Sequence, residues 1–262
     1  AMLSATLGSR AGGTLDGVRA EIEKGTFASL GVTALWLMPV FEGPSYHGYE
    51  TSDFYKIESE HGTNDDFKRF MAECDKRGIK VILDLVLNHT SKSHPWFKDA
   101  WDPKNPKHNW FIWSDSKPEW KGPWGQQVWF LPDGRNTGPY YYGIFSSYMP
   151  DLNYRNPEVQ QAMLDVVRRW LAFGFDGFRL DIFHALFKDD SFADNPFSPR
   201  ILPTEENPDG FLQSFRATLH HPDTLRFART LRKVVDEFQN PPRFLIGEVF
   251  GQPEFLRKYC EG

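Results

Sequence analysis

The stretch GFDGFRLDIFHAL, residues 174–186, decides the fold class of this chain. In an extended strand, Phe178, Leu180 and Ile182 would point to one face, and Arg179 and Asp181 to the other. Burying a charged side chain is costly unless the charge is paired. The stretch therefore predicts a buried strand whose end carries either a structural ion pair or an ionised carboxylate with a chemical task.

Strand and helix patterns alternate on both sides of this stretch. Continuous apolar runs predict buried strands over residues 32–40, 80–88, 175–183 and 243–250. Apolar residues at helical spacing predict helices over residues 14–30, 64–78, 157–173 and 223–238, with Asn64 capping the second of them. This alternation predicts an α/β protein with parallel strands, either a barrel or an open doubly wound sheet.

Two irregular segments interrupt the alternation, one over residues 90–150 and one over about 186–222. The first holds seven of the nine tryptophans and is too long for a plain loop, so it predicts an inserted subdomain. The expected organisation is a first part of the main domain (1–89), the inserted subdomain (90–150) and the continuation of the main domain (151–262). The tryptophans either form the subdomain's own core or line a cleft.

Composition restricts the partners of the chain. The 262 residues carry a net charge of −5 without a basic run, which excludes a typical nucleic-acid binder. No apolar segment is long enough to span a membrane, and no signal peptide is recognisable, which favours a cytoplasmic location. With only Cys74 and Cys260, we expect free thiols, not disulfides or a cysteine metal site.

Asp181 and Glu248 come at the ends of two successive predicted strands. Hydrolysis of a glycosidic bond requires two carboxyl groups, one ionised and one protonated. Arg179 would hold Asp181 in its charged form, while the apolar run FLIG before Glu248 favours a neutral acid there. The pattern thus points to Asp181 as nucleophile and Glu248 as acid/base, although carboxylates at strand ends are also common structural caps.

Several motifs make the resemblance to a known family specific. DLVLNH (84–89), GFRLD (177–181) and GEVF (247–250) resemble three sequence blocks of the α-amylase superfamily of glycoside hydrolases, in the same order. MPDLN (149–153) resembles a further block, and YHGYETSDFY (46–55) resembles the segment after the second strand. The resemblance implies a TIM (β/α)8 barrel with a domain inserted after the third strand, which is where residues 90–150 lie.

The resemblance also implies roles for individual residues. Asp181 would be the catalytic nucleophile and Glu248 the general acid/base. Arg179 would orient the nucleophile, His89 would contact the sugar in the −1 subsite, and Tyr49 would stack on that sugar. No cofactor is needed for the chemistry.

Two local departures from the family pattern, and one match to it, qualify these expectations. Glu50 stands where oligoglucosidases usually carry Asp, which weakens an exo-acting interpretation. His184 and Ala185 stand where many amylases have Lys-His, so His184 would either bind sugar on the product side or cap a loop. Asn88 matches a calcium ligand of many amylases, so a structural calcium ion and a side chain bonded to backbone both stay open.

The largest departure is the absence of the family's Asn-His-Asp block. Only the second to fifth strands of the family are recognisable, about half of the eight-stranded barrel. Four parallel strands would leave two open edges. Either this chain is therefore a piece of a longer enzyme, or self-association or a complementing chain completes the barrel.

The leading functional prediction is hydrolysis of α-1,4-glucosidic bonds in starch-type glucans or maltooligosaccharides, with retention of anomeric configuration. An exo-acting α-glucosidase or a transglycosylase is the first alternative. An inactive truncated or non-catalytic carbohydrate-binding relative is the second: retention of both Asp181 and Glu248 argues against it, and the missing strands argue for it.

Overall fold

Helices and strands alternate along the residues that the computed structural model describes, 13–204, 207 and 209–260. The helices are α1 (Leu15–Glu23), α2 (Thr26–Ser29), α3 (Asn64–Lys76), α4 (Pro95–Ala100), α5 (Pro157–Phe173), α6 (Pro222–Val235) and α7 (Pro253–Cys260). Short 3-10 turns occupy Pro106–Trp110, Phe183–Ala185 and Phe215–Ala217. The strands are β1 (Ala34–Leu37), β2 (Phe41–Glu42), β3 (Asp53–Ile57), β4 (Lys80–Leu85), β5 (Trp113–Ser114), β6 (Trp129–Phe130), β7 (Tyr140–Tyr142), β8 (Gly177–Leu180) and β9 (Phe244–Gly247).

The central feature is a four-stranded sheet in the order β1-β4-β8-β9. β4 pairs in parallel with both β1 and β8, as the α/β prediction requires. In this register Asp84 of β4 lies opposite Arg179 of β8. Within the described residues the sheet is open, and the four strands are those recognised in the sequence. The prediction that the last of them is buried is wrong: Phe244 and Ile246 of β9 are 54% and 49% exposed, because β9 is an edge strand of the sheet.

The observed strands are shorter than the predicted ones. β4 ends at Leu85, although the apolar pattern extends to residue 88. The reason is that residues 86–90 stay fully buried after the strand pairing ends, so hydrophobicity does not mark the end of the strand. Asn88 and His89 therefore lie beyond β4, and His89 forms an isolated antiparallel bridge with Asp151.

Two predicted helical features are wrong. The helix predicted over 14–30 is broken into α1 and α2 at Gly25, whose left-handed φ of 83° suits glycine. The cap of α3 is Thr63, not Asn64: the Thr63 hydroxyl accepts a hydrogen bond from the Asp66 N–H at 3.2 Å. Asn64 is the first helical residue, and its side chain instead accepts the Ile57 N–H at 2.9 Å.

The chain divides into two compact units. Unit 1 comprises the described residues up to Val86, Leu164–Asp181 and Lys233–Ile246. Its core is rich in aromatic rings: Phe67 lies 5.1 Å from Phe175 and 6.3 Å from Trp170, measured between ring centroids. The predicted apolar stripe of α3 is buried in full, at Phe67, Phe70, Met71 and Cys74.

Unit 2 comprises Leu87–Met163, Ile182–Arg232 and the described residues from Gly247. It contains the whole of segment 90–150, whose strands form the antiparallel sheet β5-β7-β6. Trp120 and Trp129 are buried with Tyr142 in one core cluster, whereas Trp124 is 69% exposed. The buried aromatic residues of this cluster thus contribute to the core of unit 2. The division of the chain into 1–89, 90–150 and 151–262 stays a prediction.

Cys74 is buried and Cys260 is exposed, and both are free thiols, as predicted. Among the described helices, none has the length and apolar character needed to cross a bilayer.

Candidate active site

The guanidinium of Arg179 is the centre of the predicted site in unit 1. Its Nη1 lies 2.7 Å from Oδ1 of Asp181 and 2.9 Å and 3.0 Å from the two carboxylate oxygens of Asp84. Asp84 is fully buried and Asp181 is 7% exposed. The same-face pairing of Arg179 and Asp181, predicted from alternation, is confirmed. Strand register adds a second carboxylate that alternation within one strand cannot supply.

Two aromatic side chains of unit 1 enclose this ion-pair cluster. The Tyr49 hydroxyl donates a hydrogen bond to Oδ2 of Asp84 at 3.1 Å. Burial, and then the Asp84 charge, raise the pKa of Tyr49, so this phenol stays protonated. The ring of Trp36 lies 5.4 Å from Cζ of Arg179, within cation–π range. The guanidinium, its two carboxylates and the tyrosine hydroxyl therefore restrain one another.

His89 and Asn88 belong to unit 2, and both are fully buried. Nδ2 of Asn88 lies 3.3 Å from Nδ1 of His89 and 2.9 Å from Oδ2 of Asp151. The His89 ring is in edge-to-face contact with Phe145 at 5.5 Å. Asn88 thus connects the predicted sugar contact, His89, to a buried carboxylate.

The residues around Asn88 do not fit a calcium ion. Nζ of Lys188 lies 2.6 Å from Oδ2 of Asp151 and 2.9 Å from Oδ1 of Asn88. One side-chain oxygen of Asp151 and the side-chain oxygen of Asn88, which could otherwise bind a calcium ion, are thus bonded to an ammonium group that is itself buried. No group of three or more acidic, histidine or cysteine side chains suited to a metal occurs among the described residues. Within the part of the chain that the structure describes, the Asn88 side chain bonds to other side chains and not to backbone as the second alternative expected, so its observed role is in a buried side-chain network.

Glu248 belongs to unit 2 and is the first residue after β9. Its Oε2 accepts the backbone N–H of Ile182 at 2.9 Å. Ile182 is the residue directly after Asp181 in the chain. His184 is 2% exposed, and its Nδ1 lies 3.3 Å from the backbone oxygen of Glu248. Burial, together with the neighbouring His220, lowers the pKa of His184 to about 3. This burial leaves His184 little surface for a sugar, and its predicted substrate contact stays a prediction.

Comparison with known proteins identifies the family. The family model described as the α-amylase catalytic domain matches residues 4–262. The chain belongs to the α-amylase family. The resemblance inferred from the sequence blocks is thereby confirmed, and with it the TIM-barrel class to which the parallel sheet belongs.

Relatives of this α-amylase family chain are glycosidases and glucosyl-transferring enzymes. It is 36% identical to a probable α-glucosidase of Rhizobium meliloti over 90% of this chain and 44% of the relative. It is 37% identical to the trehalose synthase/amylase TreS of Mycobacterium tuberculosis over 88% of this chain and 35% of the relative. The crystal structure of the α-glucosyl transfer enzyme XgtA superimposes with a TM-score of 0.82 at 34% identity, covering 91% of this chain and 46% of that one. The chain therefore spans less than half the length of these relatives.

Sequence reasoning missed three charged residues of the site: Asp84, Asp151 and Lys188. Asp84 carried a usable signal, because a carboxylate inside the apolar run KVILDLVLN must be paired when buried. Lys188 and Asp151 are 37 residues apart in the chain and meet at 2.6 Å. No local pattern in the sequence indicates that pairing.

Proposed function

We propose that this chain carries the nucleophile and the acid/base of a retaining enzyme that cleaves α-glucosidic bonds. The carboxylate of Asp181 attacks the anomeric carbon while Glu248 protonates the departing oxygen, which gives a glucosyl ester. Glu248 then removes a proton from water or from an acceptor hydroxyl, which attacks the same carbon and releases Asp181. Two inversions retain the configuration. The observation that carries the proposal is the ion pair that holds Asp181 on Arg179, in a chain of this family.

Among substrates, we favour short α-glucosides, with transfer of glucose to water or to another sugar. The relatives that match about nine-tenths of this chain are named as an α-glucosidase, a trehalose synthase and an α-glucosyl transfer enzyme. The amylase-like action on starch-type glucans is the second candidate. It is supported by 43% identity to "Alpha-amylase 3" of Dictyoglomus thermophilum, which extends over 63% of this chain. Glu50, in place of the aspartate of oligoglucosidases, also favours this second candidate.

An aromatic row in unit 2 supports a substrate of more than one ring. Phe145 and Trp124 contact each other at 5.7 Å between ring centroids, and the fully buried His89 packs against Phe145 at 5.5 Å. The apolar face of a pyranose packs well on such rings. Trp124, which is 69% exposed, presents the outermost ring of this row to solvent.

The proposed roles predict distinct behaviour of two variants of the full enzyme. With a fluorinated α-glucosyl fluoride that slows the second step, mass spectrometry should detect one glucosyl unit on the wild type and none on Asp181→Asn. Glu248→Gln should lose about 10²–10⁴-fold in kcat/KM on maltose, because proton transfer to the leaving oxygen is lost. Labelling of Asp181→Asn, or a β-configured first product in NMR spectra, would contradict the proposal.

We also propose that further polypeptide covers the sheet edge formed by β9. Phe244 and Ile246 of this strand are 54% and 49% exposed, and an open apolar edge strand tends to pair with another chain. Sedimentation velocity should show association of this chain that rises with concentration and is weakened in Ile246→Lys. This result would show that the polypeptide covering β9 is a second copy of this chain. A monomer at every concentration that turns over α-glucosides fully would contradict any need for a complementing chain.

A further inference from the structure

The residue after Asp181 adopts a strained backbone conformation. Ile182 has φ 38° and ψ 43°, in the left-handed region. This region is disfavoured for a β-branched residue, at a cost of roughly 1–3 kcal/mol. Glycine or asparagine would fit it better. A residue held in this way points to a constraint imposed by its surroundings.

The strained conformation turns two successive N–H groups towards Glu248. The Ile182 N–H donates to Oε2 of the Glu248 side chain at 2.9 Å. The Phe183 N–H donates to the backbone oxygen of the same glutamate at 3.0 Å. Successive N–H groups in a left-handed and helical pair of residues form a concave site for an anionic or carbonyl oxygen. The turn therefore holds Glu248 by its side chain and its main chain together.

His184 supplies the third contact with Glu248. Its Nδ1 lies 3.3 Å from the Glu248 backbone oxygen, and a carbonyl oxygen can only accept, so Nδ1 carries the hydrogen. Around the ring lie His220, at 4.9 Å between centroids, and Phe250, at 5.7 Å. The imidazole is 2% exposed. The buried, neutral imidazole, with its hydrogen on Nδ1, thus holds the backbone carbonyl of Glu248, the residue after β9.

We infer that residues 182–184 are a positioning device for the acid/base, with His184 as its positioning side chain. The inference rests on the proposed function of Glu248. Proton transfer requires the acid within hydrogen-bond reach of the leaving oxygen, and a small displacement is costly. The bond from Ile182 to Oε2 also favours the proton on Oε1, since the carbonyl oxygen of a carboxylic acid is the better acceptor.

The test compares His184→Leu, which removes the donor, with His184→Asn, whose amide Nδ2 can replace the imidazole Nδ1. Each variant of the full enzyme is assayed as kcat/KM on maltose and on 2,4-dinitrophenyl α-glucoside, whose leaving group needs no proton. We expect His184→Leu to lose about tenfold more on maltose than on the activated substrate, because only maltose needs the aligned acid. His184→Asn should recover most of that difference.

A matched control is His94→Leu, which removes another buried histidine of unit 2, 4% exposed and without a contact to Glu248 among those described. A general loss of stability should affect both substrates equally in this variant. Equal losses on both substrates in His184→Leu would overturn the positioning role.

A second measurement does not depend on activity. In ¹⁵N NMR spectra of this chain at neutral pH, His184 should be neutral with its hydrogen on Nδ1. A hydrogen on Nε2 would overturn the inference. A wild-type enzyme that cleaves neither substrate would refute the proposed function, whereas one that cleaves both while the variants lose equally would refute the positioning role alone.

Discussion

At the scale of single residues, the buried charge of Lys188 is paired and hydrogen-bonded with partners that are themselves buried. Lys188 and Asp151 are almost completely inaccessible, and the ammonium is held between Asp151 and Asn88. The other carboxylate oxygen of Asp151 accepts the Ile144 N–H at 3.0 Å. The ring of Tyr142 lies 5.6 Å from Nζ of Lys188. Such a pair contributes little net stability, but removal of one partner leaves an uncompensated buried charge.

We therefore expect Lys188→Met to lower the free energy of unfolding by about 3–5 kcal/mol, as for other broken buried pairs. Lys188→Met combined with Asp151→Leu should recover part of this loss. Because the Lys188 ammonium provides the positive charge beside Asp151, a chelator of metal ions should leave the melting temperature of the wild type unchanged. Urea unfolding and calorimetry with and without EDTA measure both effects. A melting temperature that falls with EDTA and returns with Ca²⁺ would refute the assignment of this charge to Lys188.

At the scale of elements, α3 shows how local sequence determines a helix. Thr63 and Asp66 form a reciprocal capping box: the Thr63 hydroxyl accepts the Asp66 N–H, and Oδ2 of Asp66 accepts the Thr63 N–H at 2.7 Å. Asp65 and Asp66 also place negative charge at the positive end of the helix dipole. The stripe predicted from spacing is buried against the aromatic core of unit 1. Tertiary contacts only shift the cap by one residue, because Asn64 bonds to the strand β3.

Thr63→Ala should lower the free energy of unfolding by about 1 kcal/mol, since one N–H at the start of α3 loses its acceptor. Thr63→Ser, which keeps the hydroxyl, is the matched control and should lose only a small part of that. Equilibrium urea unfolding of the two variants measures the difference. Equal stability of the alanine and serine variants would show that Thr63 does not cap the helix.

At the scale of the whole molecule, buried histidines link stability to pH. Burial lowers the pKa of His94 and of His184 to about 3 in the folded chain. In the unfolded chain both titrate near their ordinary value of about 6.5. Between these two values the unfolded state binds more protons, so stability rises with pH in this window and is lost as the pH falls.

From pH 6.5 to pH 5 we expect the free energy of unfolding to fall by up to about 1.4 kcal/mol per pH unit for each of these histidines. His184→Asn and His94→Asn should each reduce the slope, because each removes one titrating group. Urea unfolding at half-unit pH steps provides the measurement. A flat profile over this window would mean that the two rings are protonated or solvated in the folded state.

The sequence by itself determined the α/β class and the positions of α3 and α5, and it led to the hypothesis that Asp181 and Glu248 are the catalytic carboxylates. These features depend on periodicity and residue type, which report burial and chemistry locally. Periodicity could not locate the end of β4, because burial continues past the last paired residue. Periodicity also could not indicate the break between α1 and α2, because this break depends on the left-handed backbone conformation of Gly25.

Only the tertiary structure decided which charges meet. Strand register brought Asp84 to Arg179, and the tertiary fold brought Lys188 to Asp151, 37 residues earlier in the chain. The left-handed conformation of Ile182, unfavourable for a β-branched residue, likewise occurs together with a bond to the distant Glu248. Such pairings join residues that are distant in the chain. Their energies depend on the completed packing, which no single stretch of sequence contains.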